Sequence, residues 1–192
     1  RIVQNARQIF DNAKMTINID HHKTNNGYAK LNYVIGSASS AGEVLYNIFK
    51  EKNIEITKDM ADCLYVSILT DTGGFRYENT KPETLEIAAK LIKLGVDNAD
   101  ITKKCYNKKA KNMVLFQASI VSKAKFLLNN TVAIALIEES DFKKFGANNE
   151  YTEGIAETLR TIKTVEVSAV LKESDNQTTK VSLRSDNIDV CE

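Results

Sequence analysis

Asp20, His21 and His22 stand side by side, and the triplet holds both histidines of the chain. Imidazole nitrogen and carboxylate oxygen together suit a divalent transition metal, and the same groups suit proton transfer. Residues 15–19 read as a short strand, so the triplet sits where a strand meets a loop. In an open α/β sheet that edge is where ligands bind. The plain alternative is two surface histidines in a turn, and on the triplet alone the two readings stand level. A second cluster is Asp71-Thr72-Gly73-Gly74, followed by Phe75, Arg76 and Tyr77. Paired glycines permit unusual backbone angles and a close approach to a ligand. An aspartate delivered there by a buried helix suits a metal or a phosphate. As a bare helix end it would face the negative partial charge of the C-terminus, at a cost below about 1 kcal/mol that a nearby cation removes. A third pair, Arg184-Ser185, offers a guanidinium fork and a hydroxyl, which can hold a phosphate. Taken alone, that pair reads more readily as a solvent-facing arginine at a strand end.

The elements that must position these residues follow from spacing. Residues 1–13 carry Ile2, Val3, Ala6, Ile9, Phe10 and Ala13 at helical spacing. A second strand is predicted over 31–35. Ser40-Ala41-Gly42-Glu43 fits a capping box opening a helix with Val44, Leu45, Ile48 and Phe49 on one face. Residues 60–69 read as a buried helix ending at Asp71. Thr80-Lys81-Pro82-Glu83 suggests another capping box. Its helix would carry Leu85, Ile87, Ala88, Leu91 and Ile92, with Gly95 as the stop. A long helical stretch is predicted from 99 towards 125. Beyond it the pattern changes to a strand over 132–137, short helices near 141–145 and 154–161, and two alternating strands around Val165–Ala169 and Val181–Leu183, separated by a polar turn at 174–177. That change predicts two lobes, with a boundary inside the long helical stretch, near residue 120.

Composition narrows the function classes. A net charge of +1 gives no global pull towards nucleic acid or anionic lipid. Lys103, Lys104, Lys108, Lys109 and Lys111 form one local basic cluster, read first as a solvated helix face and second as a landing strip for a phosphate backbone. No apolar run is long enough to span a bilayer, and residues 1–14 lack the continuous apolar core of a signal peptide. Cys63, Cys105 and Cys191 are odd in number and far apart, which argues against a disulfide framework or a structural zinc site. A cytoplasmic protein with no membrane partner is the expectation.

Taken in order, Asn18-Ile19-Asp20-His21-His22, the 37–43 run Ser-Ala-Ser-Ser-Ala-Gly-Glu, Thr70-Asp71-Thr72-Gly73-Gly74-Phe75-Arg76-Tyr77 with Asn79-Thr80, and Val181-Ser182-Leu183-Arg184-Ser185 with Asp189-Val190 resemble the DHH phosphoesterase superfamily. The likeness is to its branch with a DHHA1 C-terminal domain, and within it to the bifunctional oligoribonucleases (nanoRNases) that also dephosphorylate phosphoadenosine phosphate. It covers essentially the whole chain. It implies an α/β fold: the C-terminal part of a parallel-sheet DHH domain over 1–105, a helical linker over 106–124, and a smaller, incomplete α/β DHHA1 domain over 125–192. It implies two divalent ions, manganese with magnesium as the alternative, and a short single-stranded RNA or small nucleotide as substrate.

By the same resemblance His21 would be a metal ligand and Asp71 a ligand shared between the ions. His22 would lie near the scissile phosphate and Asp20 would orient the histidines from behind. Arg184 and Ser185 would contact substrate phosphate or ribose, and Arg76 is grouped with them. The chemistry is coherent, because two ions about 3.5–4 Å apart can clamp the attacking and leaving oxygens and acidify a water between them. The family's earlier His-x-x-x-Asp-x-Asp strand and its later Gly-Gly-Gly-His loop have no counterpart here. The resemblance therefore implies a piece trimmed at both ends, itself inactive, whose truncated sheet favours a homodimer. Alternatives within the superfamily are a single-strand DNA exonuclease, a cyclic dinucleotide phosphodiesterase and a pyrophosphatase. Outside enzymes, a nucleotide- or metal-binding module without catalysis and a purely structural protein remain.

Overall fold

The computed structural model describes residues 4–174, 178–185 and 190. Ile2, Val3, residues 175–177 of the expected polar turn, Asp189 and Cys191 lie outside the described residues. The chain divides into two compact units, Arg1–Lys108 and Lys109–Glu192.

In the first unit, α1 (Gln4–Asn12) leads to β1 (Ile17–Asp20), and β2 (Leu31–Val34) runs parallel to β1 with Asp20 opposite Val34. Three helices follow: α2 (Ala41–Glu51), α3 (Lys58–Asp71) and α4 (Pro82–Lys93). Ala61, Leu64, Tyr65 and Ile68 recur at helical spacing along α3 and are all buried, in a core they share with Ile87, Ala88 and Leu91 of α4. Enclosing a side chain such as Ile68 is worth about 1.5–3 kcal/mol relative to leaving it exposed. Leu85 and Ile92, expected on the same face of α4, are instead 50% and 40% exposed. At about 100° per residue they fall on the flank of the stripe that Ile87 and Leu91 define.

Two start signals differ in detail from expectation. Ser40 does cap α2, its Oγ accepting from the Glu43 amide at 3.1 Å. Glu43, however, reaches one residue further back than a capping box requires, to the amide and hydroxyl of Ser39. On α4 the N-cap position belongs to Lys81, not Thr80, with Pro82 in the first turn. The backbone amide of Lys81 donates to Thr84 Oγ1, so Thr84 rather than Glu83 closes that turn.

The long helix predicted from 99 is broken. α5 (Asn98–Thr102) passes into a π-helical turn over Lys103–Asn107, and α6 (Lys111–Ser122) starts afresh after extended backbone at Ala110. The wider turn lets the Tyr106 hydroxyl donate to the Leu69 carbonyl of α3 at 2.9 Å, a contact that competes with a straight helix. Of the basic cluster, Lys104 pairs with Asp100 at 2.6 Å.

The second unit carries β3 (Lys125–Leu127), β4 (Val132–Ile137), α7 (Glu139–Phe145), α8 (Ile155–Arg160), β5 (Val167–Ser174) and β6 (Thr178–Ser185). The strands form one sheet in the order β3-β4-β5-β6, parallel only between β4 and β5. Ala133, Ala135 and Ile137 alternate inward from β4 and meet Ile155 and Leu159 of α8. Residues 106–124 include Phe116 and Ile120 of α6, which are fully enclosed in this same core. Among the described residues no helix is long and apolar enough to cross a membrane.

Candidate metal centre

β1 ends at Asp20, so the triplet stands at the carboxyl end of a parallel strand. Both Asp20 oxygens are engaged. Oδ1 accepts from the His21 amide at 2.7 Å and the His22 amide at 3.2 Å, and it meets His22 Nδ1 at 2.6 Å. Oδ2 accepts from Asn25 Nδ2. Partial burial pushes the carboxyl pKa up, but the hydrogen bonds from Asn25, the His22 ring and the two amides outweigh it and hold Asp20 well below the usual carboxylate range. An ionised carboxylate only accepts, so Nδ1 of His22 carries the proton and Nε2 faces away. The rings of His21 and His22 lie 4.5 Å apart, tilted by 50°.

The loop that returns from the triplet is tied by side-chain amides. Asn18, buried on β1, donates to Oδ1 of Asn25 at 2.9 Å and of Asn32 at 3.2 Å. Asn25 also accepts from the Gly27 amide. Asn25 therefore holds Asp20 from one side and the loop from the other. Nothing in its sequence surroundings, a run of polar loop residues, marks it out.

From the other direction α3 delivers Asp71 as its last residue. His21 Nε2 lies 3.4 Å from Asp71 Oδ2, although fifty positions separate them in the chain. A small divalent ion holds nitrogen and oxygen ligands at about 2.0–2.2 Å. Simple geometry then puts neighbouring ligand atoms about 3.0–3.5 Å apart, so this pair fits one ion between them. Ligand atoms of Asp20, His21 and His22 also lie within 4.8 Å of one another. Because both Asp20 oxygens are already bonded, the pair His21–Asp71 is the better-placed donor set.

The turn after Asp71 has a fixed shape. Gly73 and Gly74 adopt φ of 58° and 73°, and Phe75 follows at 64°. A Cβ on Gly73 would sit 2.4 Å from the Tyr77 ring. Arg76 Nε donates to the Gly73 carbonyl at 2.6 Å, which holds that guanidinium to its own turn. Asn79 Nδ2 bridges the Asp71 carbonyl at 3.1 Å and the Ser39 carbonyl at 2.9 Å.

Arg184 and Ser185 belong to the second unit. Arg184 Nε pairs with Glu157 at 2.8 Å, and the side chain lines a cavity of about 600 Å³ with Lys172, Lys180, Ser182 and Glu150. Ser185 closes β6 opposite Val167 and is not among the residues lining that cavity.

The chain is similar to several known proteins. The description "DHH family, N-terminal domain" matches residues 3–68. A probable bifunctional oligoribonuclease and PAP phosphatase NrnA of Streptococcus mutans is 30% identical over 93% of this chain and 57% of its own length. The bifunctional oligoribonuclease and PAP phosphatase NrnA of Bacillus subtilis is 28% identical over 88% of this chain and 55% of its own length. A probable manganese-dependent inorganic pyrophosphatase of Streptococcus thermophilus is 32% identical over 43% of this chain and 27% of its own length. Among solved structures, an exopolyphosphatase-related protein from Bacteroides fragilis superposes with a TM-score of 0.89 at 26% identity, over 96% of this chain and 55% of that one. The chain spans about half the length of these two oligoribonuclease relatives. Residues 3–68 thus carry the likeness to the DHH family N-terminal domain, with the Asp-His-His triplet at a strand end inside them, and the chain resembles the Streptococcus mutans relative and the Bacteroides fragilis structure over most of its own length.

Proposed function

We propose that the protein is a metal-dependent phosphoesterase that hydrolyses short oligoribonucleotides to mononucleotides and phosphoadenosine phosphate to AMP. The observation that carries this reading is the 3.4 Å approach of His21 Nε2 to Asp71 Oδ2, made by two elements distant in sequence. The names of the relatives from Streptococcus mutans and Bacillus subtilis point to the substrates. The pyrophosphatase relative points to manganese.

In this reading His21 and Asp71 are metal ligands. Bound divalent ions would supply Lewis-acid stabilisation of phosphate charge and a water acidified for attack. Asp20 fixes His22 through Nδ1, which turns Nε2 outward to hold or deliver a proton at the phosphate or the leaving oxygen. Arg184 serves the phosphate or ribose end of a nucleotide from the cavity of the second unit, where Lys172 and Lys180 add positive charge. Ser185 and Arg76 are the remaining substrate-contact assignments. The substrate is a short single strand or a small nucleotide, and the site of action is the cytoplasm.

Manganese titration of the full-length protein and turnover of a short oligoribonucleotide test the proposal together. His21→Ala and Asp71→Ala should each weaken manganese binding and abolish metal-dependent release of mononucleotide. Unchanged manganese affinity in both variants would sink the assignment of these ligands. Release from single-stranded DNA in preference to RNA would move the substrate to the exonuclease class.

A further inference from the structure

The helix that delivers Asp71 ends in a carbonyl with no partner in its own ladder. That carbonyl accepts from Asn79 Nδ2 at 3.1 Å, and the second hydrogen of the same amide group goes to the Ser39 carbonyl at 2.9 Å. The amide orientation is settled by chemistry: reversed, its oxygen would face two carbonyl oxygens. Asn79 Oδ1 is enclosed and meets no donor among the described residues, and neither does the enclosed Thr80 Oγ1 beside it in sequence. The work Asn79 does is therefore the bridge itself.

Ser39 is in turn held hard. Its amide and hydroxyl donate to Glu43 Oε2 at 3.3 and 2.6 Å, and Thr84 Oγ1 donates to the same oxygen at 2.8 Å. Ser39 and Thr84 are fully buried and Glu43 is 6% exposed. A buried carboxylate survives only where donors converge on it. Here they come from the loop after β2 and from the start of α4. That loop begins with the Ile35 amide on the Asp20 carbonyl at 3.0 Å. A continuous track thus runs from Asp20 through Ile35, Ser39 and Asn79 to Asp71. It sets the spacing of the strand end and the helix end without using the side chains of His21 or Asp71.

We propose that Asn79 is a positioning residue for Asp71, anchored through Ser39 by the buried carboxylate of Glu43. The proposal rests on the reading of His21 and Asp71 as metal ligands. Groups that orient a ligand from behind typically cost 10–100-fold in metal affinity when removed. Asn79 holds the backbone of Asp71 rather than its carboxylate, so the lower end of that range applies.

The test is manganese binding by the full-length protein, followed through the free-ion electron paramagnetic resonance signal and the line shape of the bound ion. Thermal unfolding without metal is recorded beside it. Asn79→Ala should weaken manganese binding about 10-fold and broaden the bound-ion spectrum, at temperatures where the variant is fully folded. Glu43→Ala should shift both readouts the same way. Glu43→Gln, which keeps an acceptor for Ser39 and Thr84, should recover most of the affinity. If Asn79→Ala does not fold, Asn79→Asp takes its place, since it keeps the shape and removes the donor. Loss of thermal stability with wild-type affinity and spectrum would overturn the positioning role while His21→Ala and Asp71→Ala still weaken binding. Wild-type affinity in His21→Ala and Asp71→Ala would instead overturn the ligand reading on which the proposal stands.

Discussion

Gly73 has two reasons to be glycine, and Gly74 has one. Both adopt positive φ, but only Gly73 lies against the Tyr77 ring, 2.4 Å from where a Cβ would stand. Gly74 has its nearest neighbour, Tyr106, at 3.9 Å. Left-handed backbone costs a non-glycine residue about 1–2 kcal/mol, and overpacking adds about 1–3. Gly73→Ala should therefore destabilise the first unit by about 2–5 kcal/mol, and Gly74→Ala by about 1–2 kcal/mol. Denaturant unfolding of the two variants checks the order, and equal losses would remove the role assigned to Tyr77. At this scale the sequence is legible where chemistry is local. Asp20, His21 and His22 are adjacent, and Asp71 announces itself by the glycines after it. Asn25 and Asn79 carry no such signal. The Asn79 bond to Ser39 spans forty positions and the Thr84 bond to Glu43 spans forty-one, so no pattern within a window contains them.

Helix starts show how a local signal is bent by its surroundings. Ser40 caps α2 as its type predicts, and Ser40→Ala should cost about 1 kcal/mol in thermal or denaturant unfolding. Glu43 abandons its expected partner because Thr84, from another helix, shares its oxygen. α7 offers a pH-dependent case. Asp141 in its first turn is almost fully buried, accepts from the Glu138 amide and pairs with Lys123. Burial pushes the Asp141 carboxyl up, but the Lys123 ammonium and the amide outweigh it, so its pKa is lowered. Stability from a lowered carboxyl is fully present above its unfolded value of about 3.9 and is lost as pH falls through the folded value. Asp141→Asn should cost about 1–3 kcal/mol at neutral pH, and the gap from wild type should close in acid. A gap that stays constant below pH ~4 would contradict this.

Over the whole chain, apolar periodicity located almost every element, while the two compact units divide between Lys108 and Lys109, short of the boundary expected near residue 120. The break at 103–110 was not legible, because lysines and a tyrosine at helical spacing carry no sign that Tyr106 will turn to the α3 carbonyl. β3 was hidden for a related reason: three exposed residues give no alternation to read. Each unit closes its own core. Phe116, fully enclosed between Phe142, Phe145 and Tyr151, is the largest such side chain in the second. Phe116→Ala should remove about 3–5 kcal/mol from that unit, seen as faster amide exchange across β4 and β5.

α3 is enclosed by apolar side chains along its length and ends at Asp71. Amides of residues 64–69 should therefore exchange only in the costliest opening of the first unit. In the proposed centre Asp71 is then the fixed post, and an ion held there would keep its aspartate for as long as the helix core stays closed.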